Sequence, residues 1–245
     1  MTILVVSAHP DDETIGMAGT LKKLSKNHDI NILFLADGIT ARKKSGHANS
    51  PEYDVSEDEN KKMLEEIKIR KKHAKDALSL LGVKKIRFLD LPDNELDTIP
   101  FLKIVKEVER EILKTKCDTI FTHHHNDLNI DHRLAYEATI TASRPIFDST
   151  VNSIISFEAI SSTDWHHPYQ FRPNMYVDIS KELKVKIQAI RAYKNEIRKY
   201  PHPRSVETIE AAARRWGSLY GFKAAEAFEI IMTRLSNVGK DSIFS

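Results

Sequence analysis

"TILVVSAHPDDETIG", residues Thr2 to Gly16, opens with an uncharged, largely apolar run that leads into a histidine, a proline and three consecutive acids. Thr2 to Ala8 suits a strand buried on both faces, and strands of that kind belong to parallel sheets covered by helices. From Glu13 the period changes, with Ile15, Ala18, Leu21 and Leu24 sharing one helical face up to Asn27. Strand, charged turn and helix in immediate succession predict the opening unit of an α/β fold.

The unit recurs along the chain. "INILFLAD" (Ile30 to Asp37) is a second apolar run, and "SEDE" (Ser56 to Glu59) is a capping box opening a helix that carries Met63, Ile67, Leu78 and Leu81 and stops at Gly82. "KIRFLD" (Lys85 to Asp90) is the third strand; Pro100 then fits the first position of a helix with Ile104, Val108 and Ile112 inward. "DTIFTH" (Asp118 to His123) is the fourth strand, followed by a helix from His132 to Ser143. Strands separated by helices imply right-handed crossovers, so the expectation is a three-layer Rossmann-like sandwich with a mostly parallel sheet. In the second half, "SIISFEA", "NMYVDIS" and "AFEIIMTRL" read as strands, and Ser180 to Lys199 and Ser205 to Tyr220 as helices. No linker or repeat divides the chain, so one domain over residues 1–245 is expected.

Composition narrows the class of partner. The 245 residues are 41% hydrophobic and 29% charged, with 37 basic against 35 acidic side chains for a net +2. That balance gives no field to attract a duplex nucleic acid or an anionic membrane, so a small-molecule partner is expected, with a homo-oligomer left open. The amino terminus lacks a basic n-region and its apolar stretch is too short for a membrane span, which reads as cytoplasmic. The single cysteine, Cys117, excludes an intrachain disulfide and reads as a packing residue.

In a doubly wound sheet the first strand is central and ligands bind beyond the carboxyl ends of the first and fourth strands, where the winding reverses. This chain loads those two loops with "HPDDE" (His9 to Glu13) and "HHHNDLNIDHR" (His123 to Arg133), so the clusters are predicted to meet. No glycine lies between Ala8 and Ile15, and three carboxylates would repel a pyrophosphate, which argues against a dinucleotide site. Imidazoles and carboxylates without thiols suit zinc, with Fe2+ or manganese as alternatives. His9 and Asp12, three apart in a turn entering a helix, can face one point, and His132 is the third candidate ligand. Asp11 points elsewhere and is the candidate base for a water at the open fourth position. Each cluster also has a plain structural reading. Acids are favoured in a first helical turn, and the triple histidine could be a surface loop, the preferred reading for His124. Two such clusters at one switch point favour the metal.

"AHPDDE" together with the later "DH" resembles the LmbE-like, or PIG-L, family of zinc-dependent N-deacetylases. The resemblance extends through "LADGITAR", "FLDLPDNEL", "KIQAIRAYKNEI" and "GFKAAEAFEI". It implies removal of an N-acetyl group from an amino-sugar derivative, such as an N-acetylglucosamine-type nucleotide sugar, glycan precursor or glycoside. It also implies metal binding by His9, Asp12 and His132 and general base catalysis by Asp11. Many members carry a histidine three residues before the last ligand, where this chain has Asn129. Asparagine can donate to an oxyanion but supplies no proton at neutral pH. Asp11 would then return its proton to the leaving amine, with His123, His125 and His202 as alternatives. Asp131 is expected to orient a neighbouring side chain or to cap the helix. Arg42, His202 and Arg204 are candidate substrate contacts, with solvated surface charge as the alternative reading. Trp216 is expected to pack. Two rival functions stand beside this one: a sugar-conjugate-binding protein with little turnover, and an amidase for a mycothiol-type or bacillithiol-type conjugate.

Overall fold

A computed structural model describes residues 1–42, 53, 55–146 and 149–234. Its strands are β1 (Thr2–Ser7), β2 (Asp29–Ala36), β3 (Lys85–Leu91), β4 (Thr119–His123), β5 (Ser153–Phe157), β6 (Met175–Asp178) and β7 (Ala225–Thr233). Its helices are α1 (Asp12–Leu24), α2 (Glu57–Leu81), α3 (Phe101–Thr115), α4 (Ile130–Ala142), α5 (Leu183–Ala192) and α6 (Val206–Leu219). Seven strands form one sheet in the order β3-β2-β1-β4-β5-β7-β6. The first five are mutually parallel, and β7 runs against both β5 and β6. β1 pairs with β2 on one side and β4 on the other, so the winding reverses at the β1–β4 boundary as the sequence predicts.

Two apolar layers follow from the period of two along β1. Ile3 and Val5 pack with Leu21, Phe34, Leu78, Phe121 and Phe157 under α1 and α2. Leu4 and Val6 face the opposite side with Leu33, Leu35, Val108, Ile112 and Ala135, under α3 and α4. Helices therefore cover both faces of the sheet. Among the described residues, no helix is long and apolar enough to cross a membrane.

Local signals hold where they are short-range. Ser56 Oγ accepts from the Glu59 N–H at 3.3 Å while the Glu59 carboxylate accepts from the Ser56 N–H at 3.1 Å, and Gly82 ends α2 at φ 87. Pro100 stands one position outside α3, as its N-cap. The helix expected from Ser180 to Lys199 is shorter at both ends. Ser180 is held in a turn by its N–H to Asp178 Oδ1, 2.9 Å, and after Ala192 the chain unwinds so that Tyr193 and Glu196 enter the site described below. The last residue of the final expected strand, Leu235, lies outside the described residues.

Helix α1 breaks at Met17, whose φ of −144° and ψ of 22° are not helical. The N–H groups of Gly19 and Thr20 beyond the break donate to the Glu226 carboxylate at 2.9 and 2.6 Å. Lys186 Nζ donates to Glu226 and to the carbonyl of Ile15, each at 2.6 Å, so both ends of the break have partners. Gly19 permits the approach, since a Cβ there would lie 2.7 Å from Ile179.

Candidate active site

The loop after β1 begins at Ala8, whose N–H donates to His123 Nε2 at 2.9 Å and ties the ends of β1 and β4 together. Three residues later the backbone departs from the common regions, with Asp11 at φ 128°. A non-glycine residue there costs roughly 1–3 kcal/mol. The consequence is separation of the two neighbouring carboxylates. Asp12 turns toward the imidazoles, and Asp11 turns toward arginines.

His9 Nδ1 lies 3.1 Å from Asp12 Oδ2, His132 Nε2 lies 3.2 Å from the same oxygen, and the two nitrogens are 3.3 Å apart. All three residues are buried, and Asp12 Oδ1 has no hydrogen-bond partner among the described residues. Ligands about 2.0–2.1 Å from a tetrahedral ion are about 3.3 Å from one another. The donor set therefore fits a small divalent cation of the zinc type. The outer nitrogens are also engaged: His9 Nε2 lies 2.9 Å from Asp93 Oδ1 and 3.0 Å from Asp131 Oδ2, and His132 Nδ1 lies 3.1 Å from Asp127 Oδ2. Carboxylates in those places take the outer ring protons and aim the inner lone pairs at one point. Burial alone would lower the His132 pKa, but Asp12 and Asp127 raise it to about 9. A cation at the same point would displace that proton.

The family model described as PIG-L: GlcNAc-PI de-N-acetylase matches residues 4–143, a span holding His9, Asp11, Asp12 and His132. The chain belongs to the PIG-L family. It is 28% identical over 243 residues to diacetylchitobiose deacetylase of Thermococcus kodakarensis, covering 94% of this chain and 82% of that protein. The fold matches N,N'-diacetylchitobiose deacetylase from Pyrococcus horikoshii with a TM-score of 0.71 and 23% identity, over 100% of this chain and 88% of the other. It also matches GalB, a 4-carboxy-2-hydroxymuconate hydratase from Pseudomonas putida KT2440, with a TM-score of 0.70 and 16% identity, over 96% and 98% of the two chains.

In this PIG-L member, Asp11 Oδ1 pairs with Arg70 at 3.0 Å and Oδ2 with Arg204 at 3.1 Å. Glu196 joins the cluster, 2.6 Å from Arg70, 2.8 Å from Arg42 and 3.3 Å from Arg204. Burial raises the Asp11 carboxyl above the usual carboxylate range, against the pull of Arg70 and Arg204. Burial would raise Glu196 too, but Arg70, Arg42 and Arg204 hold it at about 2. Gly38, at φ 72°, clears the path of Arg70, whose Nε would meet a Cβ there at 2.8 Å. Glu13 is buried rather than solvated in the first turn: it accepts from the Asp11 N–H at 3.0 Å and from Tyr193 OH at 2.9 Å, fastening the strained residue.

The remaining candidates fall into distinct places. Asn129 is the N-cap of α4, its Oδ1 accepting from the Asp131 N–H at 2.8 Å. The capping alternative for Asp131 therefore gives way. Asp131 instead touches His9 and accepts from the Asn94 and Leu96 N–H groups at 2.7 and 3.1 Å. Arg42 and Arg204 lie at the site but spend their charge on carboxylates of the chain. His202 Nδ1 accepts from the Arg204 N–H at 3.0 Å, and its ring lies edge-on to Trp165 at 6.4 Å. His123 stacks on His132 at 3.9 Å and is held neutral by burial and by His132. His125 is exposed beside Tyr136. Trp216 donates from Nε1 to Glu158 Oε1 at 2.7 Å.

Sequence reasoning missed Arg70, Asp93, Asp127 and Glu196. Arg70 had a visible signal: it occupies the apolar stripe of α2 between Ile67 and Ala74, where a buried charge needs a partner. Asp127 and Asp93 lie inside quoted loops but have no spacing that distinguishes them. Glu196 reads as one more helical acid until the helix is seen to end before it.

Proposed function

We propose that the protein is a metal-dependent hydrolase that removes the acetyl group from the nitrogen of an N-acetylated amino-sugar derivative. The observation that carries this reading is the convergence of His9, Asp12 and His132 with their ligand atoms 3.1–3.3 Å apart. These residues would hold the cation, zinc first and Fe2+ as the alternative. When bound, it would polarise the amide carbonyl and acidify a water. Asp11 accepts the proton of the attacking water and returns it to the departing amine. Its raised pKa suits a group that must both take and give a proton. Arg70 and Arg204 act through Asp11, holding its two oxygens in place. Asn129 keeps its Oδ1 on the helix cap, which leaves the Nδ2 group to donate to the carbonyl oxygen as negative charge develops. Asp93, Asp131 and Asp127 orient the imidazoles.

The name of the Thermococcus relative supports an N-acetylated glucosamine unit of a small molecule as substrate. His202 and the half-exposed Trp165 supply an edge against which the sugar conjugate rests. The fold alone does not select the chemistry, since a hydratase shares it. Asn129, in place of an ionisable group, favours a second reading as a sugar-conjugate-binding protein with little turnover. Acetate release decides between them, measured with the zinc-loaded protein and its Asp11→Asn variant on N-acetylglucosamine glycosides, nucleotide sugars and thiol-bearing conjugates of the mycothiol type. Hydrolysis predicts turnover by the parent and a loss of about 10²–10⁴-fold in the variant, with zinc binding retained. If both proteins bind zinc and sugar and neither releases acetate, the hydrolase reading fails.

A further inference from the structure

The loop after β4 holds two imidazoles that the proposed chemistry does not use. His124 and His125 are consecutive, which on an extended strand would send their rings to opposite faces. Here the chain turns, and the ring centroids lie 4.4 Å apart. Glu229 of β7 reaches the same point, its Oε2 lying 3.2 Å from His124 Nε2. One ligand atom from each of the three residues lies within 4.8 Å of the others.

The contact between His124 and Glu229 is not a hydrogen bond. Glu229 Oε2 is buried and has no hydrogen-bond partner among the described residues, despite the close nitrogen. Behind the ring, the Asn126 N–H donates to His124 Nδ1 at 3.2 Å, and the Asn126 carbonyl oxygen lies at the same distance. Asn126 thereby fixes the ring with Nε2 turned toward Glu229, where a divalent ion would take the place of the ring proton. An ion between Nε2 and Oε2 would satisfy the carboxylate oxygen that no hydrogen bond reaches. Burial keeps the His124 ring neutral and so available as a ligand. Phe171 packs edge-on against His124 at 5.2 Å and Tyr136 packs against His125 at 5.5 Å, while His125 itself is exposed and leaves a path for an ion.

We propose that His124, His125 and Glu229 form a second site for a divalent transition-metal ion of the zinc class, separate from the central triad. Two imidazoles and one carboxylate suit zinc and disfavour magnesium or calcium, which take oxygen ligands. An ion there ties the β4–α4 loop to β7. The same loop carries Asp127, which orients His132, so the second ion steadies the first site without touching it.

Competition titration with a chromophoric zinc chelator tests the proposal on the full chain. The parent protein is expected to bind two zinc ions, and Glu229→Ala, His125→Ala and His132→Ala one each. His132→Ala/Glu229→Ala is expected to bind none, and the second-site affinity should fall at least tenfold in each single variant at that site. His125 is exposed, so its variant keeps the test valid if Glu229→Ala fails to fold. A single zinc in the parent, or an undiminished second equivalent in His125→Ala, overturns the proposal. If His132→Ala retains both ions, the central triad reading fails and this one stands.

Discussion

Asp11 and Asp12 are adjacent carboxylates with opposite surroundings. Burial would raise Asp12, but His132 and His9 hold it well below the usual range, whereas Asp11 stays raised in spite of two guanidiniums. The strained φ of Asp11 separates them, and no propensity in "HPDDE" announces a backbone of that kind. That the two side chains face different ways is legible in their spacing; the arginines that receive Asp11 are not. Glu158 is a half-buried acid, and its consequence is measurable. Burial raises its pKa to about 7, while the Trp216 indole N–H partly opposes the shift. A carboxyl whose folded pKa lies above its unfolded value binds more protons when folded. Its contribution is complete below the unfolded value near 4.5 and is lost as pH rises through about 7. Glu158→Gln keeps an acceptor for Trp216 and removes the ionisation. The variant is expected to match the parent at pH 4.5 and to exceed it by on the order of 2 kcal/mol at pH 8. Urea denaturation at the two pH values measures the difference, and equal stability at pH 8 would remove the buried-acid account.

At the scale of elements, short-range signals were legible and long-range ones were not. The capping box of α2 and its glycine stop are set within a few residues, and both stand where the sequence puts them. The break in α1 at Met17 had no such signal, because its partners arrive from elsewhere: Glu226 is 207 residues from Gly19. Helix α5 was over-extended for a related reason, since a run of helix-forming residues continues past the point where Tyr193 and Glu196 are drawn to Glu13 and the arginines. The Glu226–Lys186 pair is buried on both sides, so removing one partner leaves a stranded charge and two unpaired N–H groups. Glu226→Ala is expected to lose about 3–5 kcal/mol of stability. A loss under about 1 kcal/mol in urea denaturation would mean that water or the helix itself satisfies the break.

For the whole molecule, topology does what no single motif does. A sheet wound outward in both directions from β1 brings His9 and His132 together across 123 positions of sequence, and the apolar runs alone were sufficient to predict that meeting. The second half was less legible because β7 enters antiparallel between β5 and β6, an order that hydrophobic pattern does not encode. From that half come Glu196, Arg204 and Glu229, of which only Arg204 was anticipated. The account rests on the claim that this crevice holds a metal in order to cleave an acetamide. Acetate release from N,N'-diacetylchitobiose, followed before chelation, after chelation and after zinc is restored, tests that claim most directly. The predicted result is turnover by the loaded protein, loss on chelation with the circular dichroism spectrum unchanged, and recovery with zinc. Undiminished acetate release from the stripped, folded protein would contradict it.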